Sequence, residues 1–248
     1  MNRIAIFVGC CLLLISISSS AQDDLVTKKI ICYDGKSSIF PASWLDKKVN
    51  AKASAADTAF FRSDKEGVAA AFSKIPDEVL EKELKNVYIV GTLKFNRQSF
   101  TGTNSRTDIY IVGGNQQETE KTFHHEFSSI LLRNYAGYDF QLHWKKISPE
   151  LLGGNSAAAV KAGYNSVALN EGLMEKGYLT AYSLSNWEND FNMYAENIFS
   201  GGKQFWQLAD KYPKAMEKVK LVIRFYEEKI WAGFTETYFR SLAGISAN

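Results

Sequence analysis

The chain has 248 residues, 29 of them basic and 27 acidic, and a formal net charge of +2. This near balance argues against the strongly basic surface by which proteins bind nucleic acid or anionic membranes. Hydrophobic residues make up 46% of the chain and aromatic residues 13%. A chain of this length and composition can be stabilised by its core alone. One domain is the expected organisation, with two small domains as the alternative.

The N-terminal segment has the order of parts that a secretory signal peptide requires. Arg3 supplies a positive charge, Ile4–Ile17 is almost wholly apolar, and Ser19-Ser20-Ala21 offers small residues for cleavage. The apolar run is short for a membrane span, and an N-terminal anchor helix is the alternative. We expect residues 1–21 to be cleaved near Ala21 and residues 22–248 to be secreted, into the periplasm or outside the cell. Cys32 is then the sole cysteine left, so no intrachain disulfide is expected.

The predicted elements are strands first and mostly helices afterwards, which indicates an α+β fold. Runs rich in β-branched and aromatic residues predict strands at Lys29–Tyr33, Val87–Phe95 and Asp108–Val112. Apolar spacing, prolines and capping residues predict helices at Gly67–Phe72, Pro76–Leu84, Glu118–Tyr135, Trp187–Phe199, Lys203–Lys211 and Pro213–Ile230. Residues Asn155–Met174 are expected to hold a loop and a helix, with an interruption at Gly163. Ser185 or Asn186 is the expected N-cap of the helix that begins at Trp187.

One predicted helix carries the sequence His125-Glu126-Phe127-Ser128-Ser129 directly after a strand. In zinc peptidases two histidines four residues apart on one helix face bind the metal, and the glutamate after the first histidine is the general base. Zinc lowers the pKa of its bound water to about 7, and the base takes the proton as the water attacks a carbonyl. His125 and Glu126 match the first ligand and the base, whereas Ser129 occupies the position of the second histidine.

The other histidines offer no obvious replacement for that second ligand. His124 points roughly 100° around the helix from His125, and His143 would reach the site only if the fold brought it back. A His-Glu pair is also common on a solvated helix face. The spacing therefore leaves a metal site and a surface pair both open.

Two downstream segments, Gly177-Tyr178-Leu179-Thr180-Ala181-Tyr182-Ser183 and Glu188-Asn189-Asp190-Phe191, carry a family resemblance. They resemble the second signature of the zinc-binding metallopeptidases of the gluzincin type, which are common as secreted proteins of Bacteroidota-like bacteria. The resemblance covers roughly residues 85–200. It implies a zincin-like fold, in which a small mixed sheet precedes an active-site helix and a mainly helical C-terminal part. The strand before the helix is where zincins place the edge strand of their sheet.

In this family the last glutamate of the second signature is the third zinc ligand. Aligning Asp190 on the family's aspartate places Met193 at that ligand, whereas a register shifted by three residues places Glu196 there. The resemblance therefore implies His125 and Glu196 as metal ligands and Glu126 as the catalytic base. The alternative is that Glu196 is a surface acid and Met193 a core residue.

Three functional interpretations follow. The first is a secreted zinc metallopeptidase that hydrolyses peptide bonds with a replacement ligand. The second is a pseudoenzyme, a zincin scaffold with incomplete zinc ligands that binds peptide or protein in the inherited cleft without cutting it. The third is an unrelated envelope or glycan-binding protein, which a structure without an edge strand beside the His125 helix would favour. Bound zinc is thus expected under the first interpretation and no tight zinc under the second, and a peptide or protein partner is expected under both.

Overall fold

The computed structural model describes residues 22–149 and 161–246, so the predicted signal peptide lies outside the described residues. The chain divides into two compact units. The first contains the described residues up to Thr101 together with Thr107–Thr119, and the second contains Gly102–Arg106 and the described residues from Glu120 onwards. Within the described ranges, no helix is long and apolar enough to cross a bilayer. The single domain over residues 22–248 stays a prediction.

The first unit contains two small sheets where one mixed sheet was expected. Strands β1 (Ile30–Cys32), β3 (Asn86–Val90) and β7 (Asp108–Val112) are parallel and adjacent in that order. Strands β2 (Lys52–Ser54), β4 (Thr92–Phe95) and β5 (Gln98–Phe100) form an antiparallel sheet with β4 in the centre.

The division between the two sheets falls at Gly91, inside the predicted strand Val87–Phe95. The Gly91 amide donates to the carbonyl of Ser54 at 3.0 Å, and a Cβ at Gly91 would lie 2.3 Å from the carbonyl oxygen of Ala55. Only glycine permits this close backbone approach. β3 and β4 therefore follow each other in sequence but belong to different sheets.

Helix α1 (Thr58–Phe72) begins earlier than predicted because Asp57 caps it, accepting a hydrogen bond from the amide of Ala59 at 2.9 Å. Farther along α1, the buried Asp64 carboxylate accepts hydrogen bonds from the Gly114 amide at 2.9 Å and the Thr119 hydroxyl at 3.1 Å. These bonds satisfy a buried charge and fix the turn that follows β7. Helix α2 (Asp77–Glu83) follows α1 and agrees with its prediction.

The second unit is mainly helical and contains the short strand β6 (Gly102–Asn104). Its helices are α3 (Gln116–Tyr135, of which the first turn belongs to the first unit), α4 (Tyr138–Ile147), α5 (Glu171–Met174), α6 (Trp187–Ser200), α7 (Gly202–Lys211), α8 (Pro213–Phe225) and α9 (Glu236–Leu242). A 3₁₀ turn at Tyr182–Leu184 precedes α6, and a π-helical turn at Tyr226–Ile230 ends α8.

A buried ion pair lies in the core of this second unit. Lys218 on α8 donates to Asp190 on α6, and their side chains are 0% and 3% exposed. The indole of Trp144 also donates to Asp190 at 2.9 Å, and the ammonium of Lys218 lies 4.6 Å from the centre of the Trp144 ring. Burial raises the pKa of Asp190 and lowers the pKa of Lys218. The opposite charge of the partner residue reduces each of these two shifts. The pair therefore fixes α6 against α8.

The α+β class and the mainly helical C-terminal part are confirmed. Asn186 rather than Ser185 caps α6, since its side chain accepts from the Asn189 amide at 2.7 Å. Helices α4 and α9 were not predicted. The stretch Asn155–Met174, predicted to hold a loop and a helix, falls partly outside the described residues, and its described part contains α5.

Candidate functional site

His125 and Glu196 come together from two helices of the second unit. His125 lies on α3 and Glu196 on α6, and the imidazole Nδ1 is 3.4 Å from the carboxylate Oε2. Both side chains are 12% exposed. Burial opposes protonation of the ring, but the hydrogen bond to Glu196 and the negative charge of Glu126 outweigh it, so the pKa of His125 is raised. Glu196 is therefore not a surface acid, although Met193, one turn earlier, is a fully buried core residue.

Glu126, the expected base, is held by strand β6. The side-chain amide of Asn104 donates to its Oε2 at 2.5 Å, and the strand passes so close that a Cβ at Gly102 would lie 2.9 Å from Oε1. Burial raises the pKa of Glu126, and the charge of His125 and the hydrogen bond from Asn104 oppose the rise. The strand beside the His125 helix at this point is thus β6, whereas the sequence had indicated Asp108–Val112.

Ser129, at the position of the second histidine, is hydrogen-bonded within the core. The side-chain amide of Asn192 on α6 donates to the Ser129 hydroxyl at 2.7 Å. The hydroxyl of Ser128 donates to the side-chain oxygen (Oδ1) of Asn192 at 2.7 Å and lies equally close to the backbone carbonyl of His125. Ser129 is 3% exposed and Asn192 is 1% exposed. The position at which a zinc peptidase has its second histidine ligand is therefore taken by a hydrogen bond between Ser129 on α3 and Asn192 on α6.

The other two histidines lie apart from this cluster. His124 is 1% exposed and stacks on Phe199, with ring centroids 4.3 Å apart and planes 3° from parallel. This agrees with its predicted direction around the helix. His143 lies on α4 with an exposed side chain. Neither residue supplies the missing ligand.

Acidic side chains dominate the field around the site. Burial raises the pKa of Tyr182, and the negative charges of Glu126 and Glu188 add to the rise. The Tyr182 ring lies 5.8 Å from the His125 ring, centre to centre. The site is therefore a mainly acidic cluster in which His125, when it is protonated, and Arg133 supply positive charge near Glu126.

The residues present do not form a three-ligand zinc site. Zinc holds nitrogen and oxygen ligands at about 2.0–2.2 Å, which spaces two ligand atoms of a tetrahedral site about 3.4 Å apart. The 3.4 Å between His125 and Glu196 fits that spacing. Ser129, which would have to supply a third ligand, does not fit. Its hydroxyl is a poor zinc ligand and already accepts a hydrogen bond from the Asn192 amide. Across residues 22–149 and 161–246, no group of three histidine, cysteine or acidic side chains is placed to hold a metal ion.

No family model and no curated protein matches the chain. Among solved structures, it is similar to the crystal structure of a putative zinc-binding metallo-peptidase from Bacteroides caccae ATCC 43185. The TM-score is 0.52, the sequence identity is 15%, and the match covers 91% of each chain. At this identity the likeness shows a shared fold alone. The chain therefore has the fold of a protein named for zinc binding and peptidase activity.

Sequence reasoning missed Asn104 and Asn192, which hold Glu126 and Ser129. Asn192 aligns with an alanine position of the family resemblance, and the polar residue in place of that alanine was the available signal. Asn104 lies on a three-residue strand whose short, polar sequence resembles a loop. Nothing in the local pattern distinguishes it.

Proposed function

We propose that the protein is a zincin-type scaffold that binds peptide or protein without hydrolysing it. The observation that carries this proposal is the Asn192–Ser129 hydrogen bond of 2.7 Å at the position of the second zinc ligand. A buried serine paired with a buried asparagine is a satisfied structural contact, and opening it to coordinate a metal would leave an amide donor unpaired. Hydrolysis that depends on bound zinc is therefore not expected.

The candidate base supports the same interpretation. A general base must accept a proton from a water held beside the substrate, and one of the two carboxylate oxygens of Glu126, Oε2, already accepts a hydrogen bond from the Asn104 amide. The strand that carries Asn104 passes directly over the glutamate. We infer that β6 keeps the role of a peptide-binding edge beside the helix, while the side chain of Asn104 on this strand binds one oxygen of the Glu126 carboxylate.

The test compares the wild-type protein with Glu126→Gln, which removes the base but keeps an oxygen that can accept from Asn104. Both are incubated with a proteolytic digest of casein in the presence of zinc chloride, and products are followed by mass spectrometry. Peptides retained through gel filtration are identified in parallel. We expect retention by both proteins and no new cleavage by either. Cleavage by the wild type that Glu126→Gln abolishes would refute the proposal.

A second candidate function is zinc-dependent peptide hydrolysis, with Glu126 as base and His125 and Glu196 as ligands. The 3.4 Å separation of Nδ1 and Oε2 favours it, because that distance is longer than an ordinary charge-assisted hydrogen bond and suits a shared ion. Zinc would then supply an activated water. This candidate requires a third ligand from outside the described residues or from solvent, and it predicts that chelators abolish activity.

We further propose that the protein is exported and that residues 1–21 are removed. The sequence order of positive charge, apolar run and small residues supports this proposal. N-terminal sequencing of the mature protein should begin at Gln22. An N-terminus at Met1 in membrane fractions would instead indicate an uncleaved anchor.

A further inference from the structure

The antiparallel sheet of the first unit, β2–β4–β5, has one polar face that is open to solvent. Ala53, Leu93 and Phe100 pair with one another across the strands and pack into the aromatic core of this unit. The strand residues that alternate with them point the other way and are all exposed. They are Lys52, Ser54, Thr92, Lys94 and Ser99. The solvent face of this sheet therefore consists of cationic and hydroxyl side chains.

Two lysines lie directly opposite each other on this face. Lys52 on β2 pairs with Lys94 on β4, and Ser99 on β5 pairs with Lys94 from the other side. Residues paired in this way have Cβ atoms about 4.5–5.5 Å apart, and like charges in such a pair destabilise a sheet. Lysine often protects the exposed edge of a sheet from aggregation, which would explain Lys52 on an edge strand. Edge protection does not explain Lys94, because β4 is the central strand.

A third cation lies at the tip of the hairpin that joins β4 to β5. The two loop residues are Asn96 and Arg97, with positive φ angles of 45° and 73°. Two positive φ angles define a type I′ turn, whose second position favours glycine rather than a residue with a Cβ. The amide of Asn96 donates to the Val49 carbonyl at 2.9 Å, which brings the hairpin tip beside the loop that carries the exposed Lys47 and Lys48. An exposed arginine is thus kept where the backbone favours glycine.

The cations of this face are not neutralised from within the described chain. Among the residues that the structure describes, Lys52, Lys94 and Arg97 form no ion pair with an acidic side chain. Asp46, in the loop before β2, accepts hydrogen bonds from two loop amides at 2.9 and 2.8 Å. Other exposed cations of the same unit do pair with acids, namely Lys28 with Asp24, Lys36 with Asp34, and Arg62 with Glu66. The three cations are therefore available to an anion from outside the chain.

The other groups on this face indicate which anion it suits. A surface that binds single-stranded nucleic acid adds aromatic rings for base stacking, and one that enters a membrane interface adds large apolar side chains. The five exposed strand residues of this face include neither kind of side chain. They include hydroxyl groups instead: Thr92 donates to Ser54 at 2.9 Å, which leaves the hydroxyl proton of Ser54 for a ligand, and Ser99 lies beside Lys94. Cations beside hydroxyls match a polymer that carries both carboxylates and hydroxyls.

We propose that the solvent face of β2–β4–β5 binds an acidic polysaccharide, a chain of sugars that carry carboxylate groups. Lys52, Lys94 and Arg97 contact the carboxylates, and Ser54 and Ser99 form hydrogen bonds with the sugar hydroxyls. The proposal does not depend on the proposed function, because it concerns a face of the first unit, whereas the His125 cluster belongs to the second.

The experiment measures affinity electrophoresis of the protein, purified as residues 22–248, in gels that contain polygalacturonate or alginate, which are both polymers of uronic acids. Neutral dextran is the comparison polymer. We expect retardation by both acidic polymers and none by dextran. The combined variant Lys52→Gln, Lys94→Gln and Arg97→Gln should weaken binding about tenfold, because it removes three exposed charge contacts. The matched control removes three paired cations from the same unit, by Lys28→Gln, Lys36→Gln and Arg62→Gln, and should bind within about twofold of the wild type.

A single variant separates binding from folding. Arg97 has a φ of 73°, so Arg97→Gly relieves the backbone and should melt at or above the temperature of the wild type. The same change removes one cation and should weaken binding of polygalacturonate by about twofold to fivefold. Circular dichroism measures the melting temperature on the samples used for electrophoresis.

Several results would overturn the proposal. Absence of retardation by both uronic acid polymers would do so, and so would equal weakening in the two triple variants, which would mean that only net charge matters. Unchanged binding in Arg97→Gly would remove the hairpin tip from the site and refute the assignment of that cation. Tighter binding to single-stranded DNA or to phosphatidylglycerol vesicles at the same salt concentration would replace the polysaccharide with another polyanion.

Discussion

The contact between Ser129 and Asn192 gives the most direct energetic prediction. Ser129→Ala removes the acceptor of the Asn192 amide, which lies 2.7 Å from the hydroxyl and is in a residue only 1% exposed. A buried donor left without a partner costs about 1–3 kcal/mol. For a chain of this size, each kcal/mol lowers the melting temperature by about 2–4 °C. Urea unfolding followed by circular dichroism measures the loss directly.

A double-mutant cycle isolates the hydrogen bond from the lost hydroxyl itself. In the Asn192→Leu background the amide donor is absent, so Ser129→Ala leaves no donor unpaired. Adding Ser129→Ala should then lower the free energy of unfolding by less than about 0.5 kcal/mol. Ser241→Ala is the matched control: its hydroxyl bonds the Tyr238 carbonyl on an exposed helix, and its effect should stay within about 0.5 kcal/mol. Equal costs of Ser129→Ala in both backgrounds would refute the argument that this bond replaces a metal ligand.

The remaining predictions concern the core, a close helix contact and metal dependence. Lys218→Met leaves the buried Asp190 carboxylate without its cation and should destabilise the protein by about 3–5 kcal/mol in urea unfolding; adding Asp190→Asn should restore part of that loss. A Gly→Ala change on an exposed helix face generally stabilises the helix by about 1 kcal/mol. At Gly67, however, the added Cβ would lie 2.3 Å from the Gln116 carbonyl oxygen, so we expect Gly67→Ala to lower the melting temperature. Zinc at 100 times the Kd of a binding site would raise the free energy of unfolding by about 2.7 kcal/mol and so raise the melting temperature. We expect no zinc site, and therefore the same melting temperature in EDTA and in zinc chloride.

Local sequence patterns predicted the elements whose causes are local. Strand β7 agrees with its prediction, and helix α6 begins at the predicted Trp187 because an asparagine cap precedes it. The division of Val87–Phe95 was not predictable, because it depends on the approach of Ala55 to Gly91, and these residues are far apart in sequence. Helix α1 was predicted too short because the role of Asp57 as a cap was not recognised.

The candidate site shows the same contrast between local and long-range causes. Helix periodicity and the family resemblance were enough to propose His125 and Glu196 together, and the two are adjacent in the structure. Neither could identify Asn192 as the partner of Ser129 or Asn104 as the partner of Glu126, because both contacts join separate elements. The partners of buried polar groups depend on tertiary packing, which the spacing of residues along one helix does not specify.

The most direct test of the account is the metal content of the protein purified without its proposed signal peptide, as residues 22–248, measured by elemental mass spectrometry after gel filtration without chelator. We predict a zinc-to-protein ratio near zero that dialysis against zinc does not restore. His125→Ala and Glu196→Ala should leave that ratio unchanged. A ratio near one in the wild type, lost in both variants, would contradict the account and establish a zinc site that uses another ligand in place of Ser129.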